Sequence, residues 1–145
     1  MTTRADAHIH LFAGGYQDKS FAIRPGVSID EGPCYDSLAR EHEGAAALVV
    51  GFGGEDWCAD NNAYLAEQTP RYDWIRPVAY VSIDSGPTVQ DLEKFQQQGF
   101  VGISLFIFGN DAERLEQIPA GCWRWLEERN WLVSVNSQED AWTGW

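Results

Sequence analysis

The stretch Asp6-Ala7-His8-Ile9-His10-Leu11-Phe12 holds the residues of this chain best suited to chemistry. On an extended strand, alternate side chains share a face, so His8 and His10 point the same way, about 6.6 Å apart along the strand. Two imidazoles on one face can bind a single transition-metal ion such as zinc. Ala7, Ile9 and Leu11 then fall on the opposite face, where they can pack into a core. The chain has three histidines, which gives two at this spacing weight as candidate ligands. The alternative is a half-buried His-x-His strand that is only hydrogen-bonded. The third histidine, His42, lies between Glu41 and Glu43 near the end of a helical stretch. It reads as a solvent-facing residue favourably placed at a helix C-terminus.

Other polar candidates follow the predicted strands. Ala13 to Pro33 is a long connection punctuated by Gly14-Gly15 and Arg24-Pro25-Gly26, and long loops in compact domains are usually functional or disordered. Tyr16, Phe21 and Arg24 on it are candidate substrate contacts. For Tyr16 and Phe21 the structural alternative is burial that pins the loop down. Ser82 and Asp84 come at or just past the end of a third strand, Ser104 and Phe106 within a fourth, and Asn136 after a fifth. Asp84 and Asn136 are the two polar groups placed to face a pocket. Asp84 stands before Ser-Gly-Pro, which equally suits a turn.

The elements that must position these groups alternate in type. Tyr35 to Glu43 reads as a short helix stopped by Gly44, and Ala45 to Phe52 as a strand buried on both faces. Asp60 to Gln68 is the next helix, with Tyr64 and Leu65 inward. Pro77 to Ile83 is a strand and Thr88 to Gln98 the clearest helix, with Val89, Leu92 and Phe95 at helical spacing before Gly99. Phe100 to Phe108 is a fourth strand. Asp111 to Arg129 is helical in pieces around Pro119-Ala120-Gly121, and Trp131 to Val135 is a fifth strand. Apolar strands alternating with helices imply parallel pairing through right-handed crossovers. Two architectures fit: a five-stranded doubly wound parallel sheet, or the first five units of a barrel. In both, a ligand site lies at the C-terminal ends of the strands.

Composition sets outer limits. A chain of 145 residues with 44% hydrophobic residues and seven tryptophans fits a single domain over 1–145 with ample material for a core. A net charge of −12 lacks the clustered Lys and Arg of a nucleic-acid footprint. Cys34, Cys58 and Cys122 are odd in number and widely separated, which argues against a disulfide framework or a structural zinc site. They read as reduced thiols, which suggests a cytoplasmic protein. No apolar signal core or membrane-length segment is present, so no membrane role is expected. There is no Gly-x-Ser-x-Gly elbow, P-loop or dinucleotide fingerprint.

The His-x-His near the end of a first strand, preceded by Asp6 and followed by Leu11-Phe12, resembles the amidohydrolase superfamily. It is most similar to the amidohydrolase-related branch that contains 2-pyrone-4,6-dicarboxylate lactonases and related sugar lactonases. The resemblance runs the length of the chain, with the His-x-His as its one sharp motif. It implies an α/β fold of the TIM (β/α)8-barrel type, with the first five strands present here. It also implies a divalent metal at the C-terminal mouth, zinc or manganese, with His8 and His10 as ligands. Some lactonases of this branch hold no metal tightly, in which case His8 and His10 would contact substrate directly. Further ligands in the family come from later strands, typically a His on the sixth and an Asp on the eighth. That Asp is the general base, and this chain stops short of it. Asn136 stands where some branches place a fifth-strand His, a departure that agrees with the lactonase-like branch.

Two expectations follow. The first is a metal-dependent hydrolase of a lactone, cyclic ester or related carboxylic compound, incomplete for catalysis as 145 residues alone. It would need a missing C-terminal half or assembly with another chain, such as a homo-oligomer. The second is a truncated, non-catalytic barrel half acting as a binding or self-associating module, since open strand edges and apolar faces demand a partner.

Overall fold

The computed structural model describes residues 4–16 and 29–137. Phe21 and Arg24 lie outside the described residues. Among the described residues nine main elements alternate: β1 (Arg4–Ile9), α1 (Glu31–Glu41), β2 (Gly44–Val50), α2 (Asn61–Gln68), β3 (Ile75–Tyr80), α3 (Val89–Gln97), β4 (Gly102–Ile107), α4 (Ala120–Glu128) and β5 (Leu132–Ser137). Short 3-10 turns occupy Asp56–Cys58, Thr69–Arg71 and Gly109–Gln117. The strands form one sheet in the order β1-β2-β3-β4-β5. A doubly wound sheet reverses its strand order at a switch point. Strictly sequential order is instead the order of a (β/α) barrel, so the barrel-type reading holds and the doubly wound alternative does not.

The chain divides into two compact units, Met1–Pro77 and Val78–Trp145, with β3 running across the division. In the first unit, Leu11, Phe12, Val49, Val50, Leu65 and Trp74 are buried. Ala47 N–H donates to Trp74 O at 2.8 Å, tying β2 to the approach of β3. The predicted helix over 35–43 starts four residues earlier, at Glu31, and ends at Glu41. Glu43, just before Gly44, takes the left-handed conformation (φ 57°) after the helix. Gly44 is needed for its size: a Cβ there would stand 3.2 Å from the Ala39 backbone, so it lets α1 fold back closely onto β2.

In the second unit, Ile103, Leu105 and Ile107 on alternate positions of β4 are fully buried. Leu92, Cys122, Trp125 and Leu126 from the two helices share that core with Ile103 and Leu105. The other face of the strands carries Tyr80, Ser104 and Ser134 side by side, then Phe106 beside Asn136. Helix α3 begins with a reciprocal cap: Thr88 Oγ1 accepts from Asp91 N at 3.1 Å, and Thr88 N donates back to the Asp91 carboxylate at 2.9 Å. The Thr88 hydroxyl also donates to the Asp91 carboxylate at 2.6 Å, and this bond together with the one from Thr88 N holds the Asp91 carboxyl below its ordinary range. Thr88→Ala should therefore cost about 1 kcal/mol in a urea unfolding series at neutral pH. A group with a depressed folded pKa stabilises above its unfolded value and loses that contribution as pH falls through the folded one. The deficit of the variant should accordingly shrink in acid.

Candidate active site

The candidate site grows from the exits of β1 and β2. The register of these strands slips between Asp6, paired with Ala47, and Ile9, paired with Val49. Ala7 and His8 thus face the single residue Leu48, a bulge of the kind that re-aims side chains beside functional sites. The sequence reading put Ala7, Ile9 and Leu11 together in the core. Only Leu11 is buried, at 2% exposure, whereas Ile9 is half-buried and Ala7 exposed. The reason is local: Ala7 sits on the bulge, and among the described residues β1 is an edge strand covered by β2 alone.

His8 and His10 do converge. Their Nε2 atoms stand 3.1 Å apart. His10 Nδ1 lies 2.6 Å from Val50 O at the end of β2. A carbonyl oxygen can only accept, so Nδ1 carries the proton and Nε2 is left with its lone pair. A backbone carbonyl on the far nitrogen is the usual way a ligand imidazole is oriented. Burial and the neighbouring His8 push the His10 pKa down, against the opposing pull of the Val50 bond, so the neutral ring is favoured. Two nitrogens bound at about 2.0–2.1 Å to one tetrahedral zinc would stand roughly 3.3 Å apart. The donor set and its spacing therefore fit two ligands of one divalent ion. Among the described residues, no group of three or more His, Cys, Asp or Glu could hold a metal.

Aromatic rings pack against His10, while His8 is exposed. His10 stacks on Phe12 at 5.9 Å between centroids and meets Phe52 edge-on at 5.6 Å. Trp57 closes on Phe12 at 4.9 Å and on Tyr16 at 5.1 Å. Tyr16 is 42% exposed, so the sequence-based choice between substrate contact and pinning side chain resolves into a ring that packs on one side and meets solvent on the other. A groove of about 280 Å³ opens against His10, bounded also by Leu11, Glu31, Cys34 and Tyr35.

Polar side chains from α1 hold this geometry. Tyr35 of α1 donates its hydroxyl to the Asp6 carboxylate. Its pKa is pushed up to about 12 by burial and by that carboxylate, so it stays a donor. Asp6, prominent in the motif, thus anchors β1 to α1. Glu31 accepts from Phe12 N at 2.7 Å and from Tyr16 N at 3.1 Å. Burial pushes the Glu31 pKa above its ordinary 4.5, opposed by the two backbone donors. Glu31→Gln turns one accepting oxygen into a donor facing a backbone N–H, with an expected cost of about 1–3 kcal/mol. A raised folded pKa contributes stability that is full below the unfolded value and lost as pH rises through the folded one. The gap between wild type and variant, read by urea unfolding at several pH values, should narrow from mild acid to neutral.

In the second unit, Asn136 Nδ2 donates to the fully buried Ser104 Oγ at 3.0 Å. Asp84 pairs with Arg114, and its backbone N–H bonds Ser82 Oγ at 3.3 Å, which fits the turn role. His42 is exposed at the end of α1, as expected. Sequence reasoning missed Phe52, Trp57, Glu31 and Asn61. Only Phe52 carried a signal, its position at the end of an apolar run.

No protein-family model matches the chain, and no curated protein matches it. Solved structures do. One is a probable 2-pyrone-4,6-dicarboxylic acid hydrolase from Acinetobacter baumannii with citric acid bound, at TM-score 0.62 and 20% identity, over 92% of this chain and 49% of that one. Another is an Agrobacterium tumefaciens protein in its apo form, at TM-score 0.58 and 17% identity, over 90% of this chain and 46% of that one. The chain spans about half the length of these solved structures. At such identities the likeness is one of fold, and it is the fold that the His-x-His resemblance implied.

Proposed function

We propose that this chain supplies the metal-binding first strand of a divalent-metal-dependent hydrolase acting on a lactone, cyclic ester or related carboxylic compound. The observation that carries this reading is the convergence of His8 and His10 Nε2 at 3.1 Å, with His10 Nδ1 committed to Val50. The fold shared with a probable hydrolase supports it. A divalent ion, zinc or manganese, would polarise the scissile carbonyl and lower the pKa of water. The chain's own residues do the rest of what is proposed here. His8 and His10 hold the ion, and the Val50 carbonyl keeps the proton off His10 Nε2. Phe12 and Phe52, backed by Trp57, keep bulk water from one side of His10. Tyr16, Arg24 and Asn136 are the proposed substrate contacts, Arg24 and Asn136 on sequence grounds alone.

The test is a calorimetric titration of chelator-treated protein with Zn2+ and Mn2+, followed by hydrolysis assays on carboxylated lactones. Stoichiometric binding with metal-dependent turnover supports the proposal, and absence of both ends it. Binding without turnover favours the second reading, a non-catalytic barrel half acting as a binding or self-associating module. One observation speaks for that reading: every residue of β1 is exposed or half-buried, and β2 is its one strand neighbour among the described residues.

A further inference from the structure

Asn61 is the first residue of α2 and only 5% exposed. Both ends of its amide are engaged with backbone. Nδ2 donates to Leu11 O at 2.8 Å, and Oδ1 accepts from Phe52 N at 2.9 Å. The partners fix the orientation of the amide, because a carbonyl can only accept and an N–H can only donate. Leu11 directly follows His10, and Phe52 comes two residues after Val50. The described pairing of β1 with β2 has its last register pair at Ile9 and Val49. Past that point the amide of Asn61 joins the two chains, and the His10–Val50 bond lies between the ladder and this clamp.

We infer that Asn61 is a positioning residue that holds the exits of β1 and β2 at the separation that keeps the proton of His10 on Nδ1. Val50 O stands 2.6 Å from the ring, with the Ile9–Val49 pair holding the strands on one side of this bond and the Asn61 clamp on the other, so loss of the clamp frees the side toward the strand exits. The imidazole is then free to adopt the Nε2–H form that free histidine prefers, which removes the lone pair a metal needs. The inference deepens the proposed hydrolase site and rests on it for its consequence, but the proton's position is a property of the metal-free chain. Asparagine is the residue the geometry calls for, since a carboxylate of the same shape has no donor for Leu11 O. A hydroxyl is too short to span both partners.

The experiment uses the full chain, stripped of metal and labelled with 15N at histidine, in mildly alkaline buffer. Long-range proton–nitrogen correlation then reads the tautomer of each ring. Wild type is expected to show His10 with the proton on Nδ1. Asn61→Asp and Asn61→Ser are expected to move it wholly or partly to Nε2, with helicity retained by circular dichroism. Zinc affinity, measured in parallel, should fall by about 10- to 100-fold, as for other groups that orient a ligand. Leu65→Ala, in the same helix and fully buried, serves as the control for a merely structural role and should leave the tautomer unchanged. A wild-type His10 protonated on Nε2 overturns the inference whatever the variants do. So does a wild-type tautomer in a folded Asn61 variant, or a shift in Leu65→Ala as large as in Asn61→Asp. Because the tautomer is read without metal, a protein that binds no zinc would end the hydrolase reading and leave this result standing.

Discussion

Alanine at both His8 and His10 is expected to abolish binding of divalent ions, and alanine at either one to weaken it by at least about 100-fold. Removing a group that merely orients a ligand already costs about 10- to 100-fold, so loss of a ligand sits at or beyond that limit. The two single variants should separate in stability. His8 is exposed, and its one described side-chain hydrogen-bond partner is the His10 ring, so His8→Ala should stay within about 0.5 kcal/mol of wild type. His10→Ala also leaves Val50 O without its donor and vacates the space between Phe12 and Phe52. That should cost about 1–3 kcal/mol. Calorimetry with Zn2+ and urea unfolding on the same samples give both quantities. An unchanged zinc content in the double variant would sink the metal site outright.

The second large effect is expected far from any chemistry. Gly102 opens β4 and pairs with Leu132 of β5. A Cβ added there would lie 2.3 Å from Leu132 O and 2.7 Å from Leu132 Cβ. Neither atom is the end of a flexible side chain, so the strand itself must give way. Overpacking a core typically costs about 1–3 kcal/mol when side chains can adjust, and a backbone clash belongs at the top of that range or above. Gly102→Ala should lower the urea midpoint by about 1 M or more at the slopes usual for small proteins. The β4–β5 register also brings Asn136 beside Phe106 and within reach of Ser104. Loss of the Asn136 side-chain amide protection in the same variant would show that the slip propagates along the pair. A midpoint within a few tenths molar of wild type would show that β5 tolerates the shift.

The strands and helices were legible because each is a run of consistent chemistry. Ala45 to Phe52 is apolar throughout and Phe100 to Phe108 is apolar but for Ser104, the pattern of buried parallel strands, and Thr88 to Gln98 carries its own cap and stop. The facing of His8 and His10 was legible as well, from the period of an extended chain. The bulge between them and Asp6 was not, because it depends on what β2 presents rather than on β1. Asn61 and Glu31 were illegible for a related reason. Their partners are main-chain groups of Leu11, Phe52, Phe12 and Tyr16, and a main-chain donor or acceptor leaves no mark on the sequence. At a helix start, both residues look like ordinary solvent-facing polar positions.

The exposure of β1 has a consequence for the behaviour of the protein in solution. All six of its residues are exposed or half-buried, and no second strand covers its outer edge among the described residues. Such an edge is a template for the edge of another molecule. At neutral pH the net charge of −12 on each copy opposes such pairing. Acidification toward the isoelectric point near 4.4 removes that repulsion while leaving the edge in place. Colloidal stability should therefore fail before folding does on the acid side, and the precipitate should be rich in intermolecular β-structure.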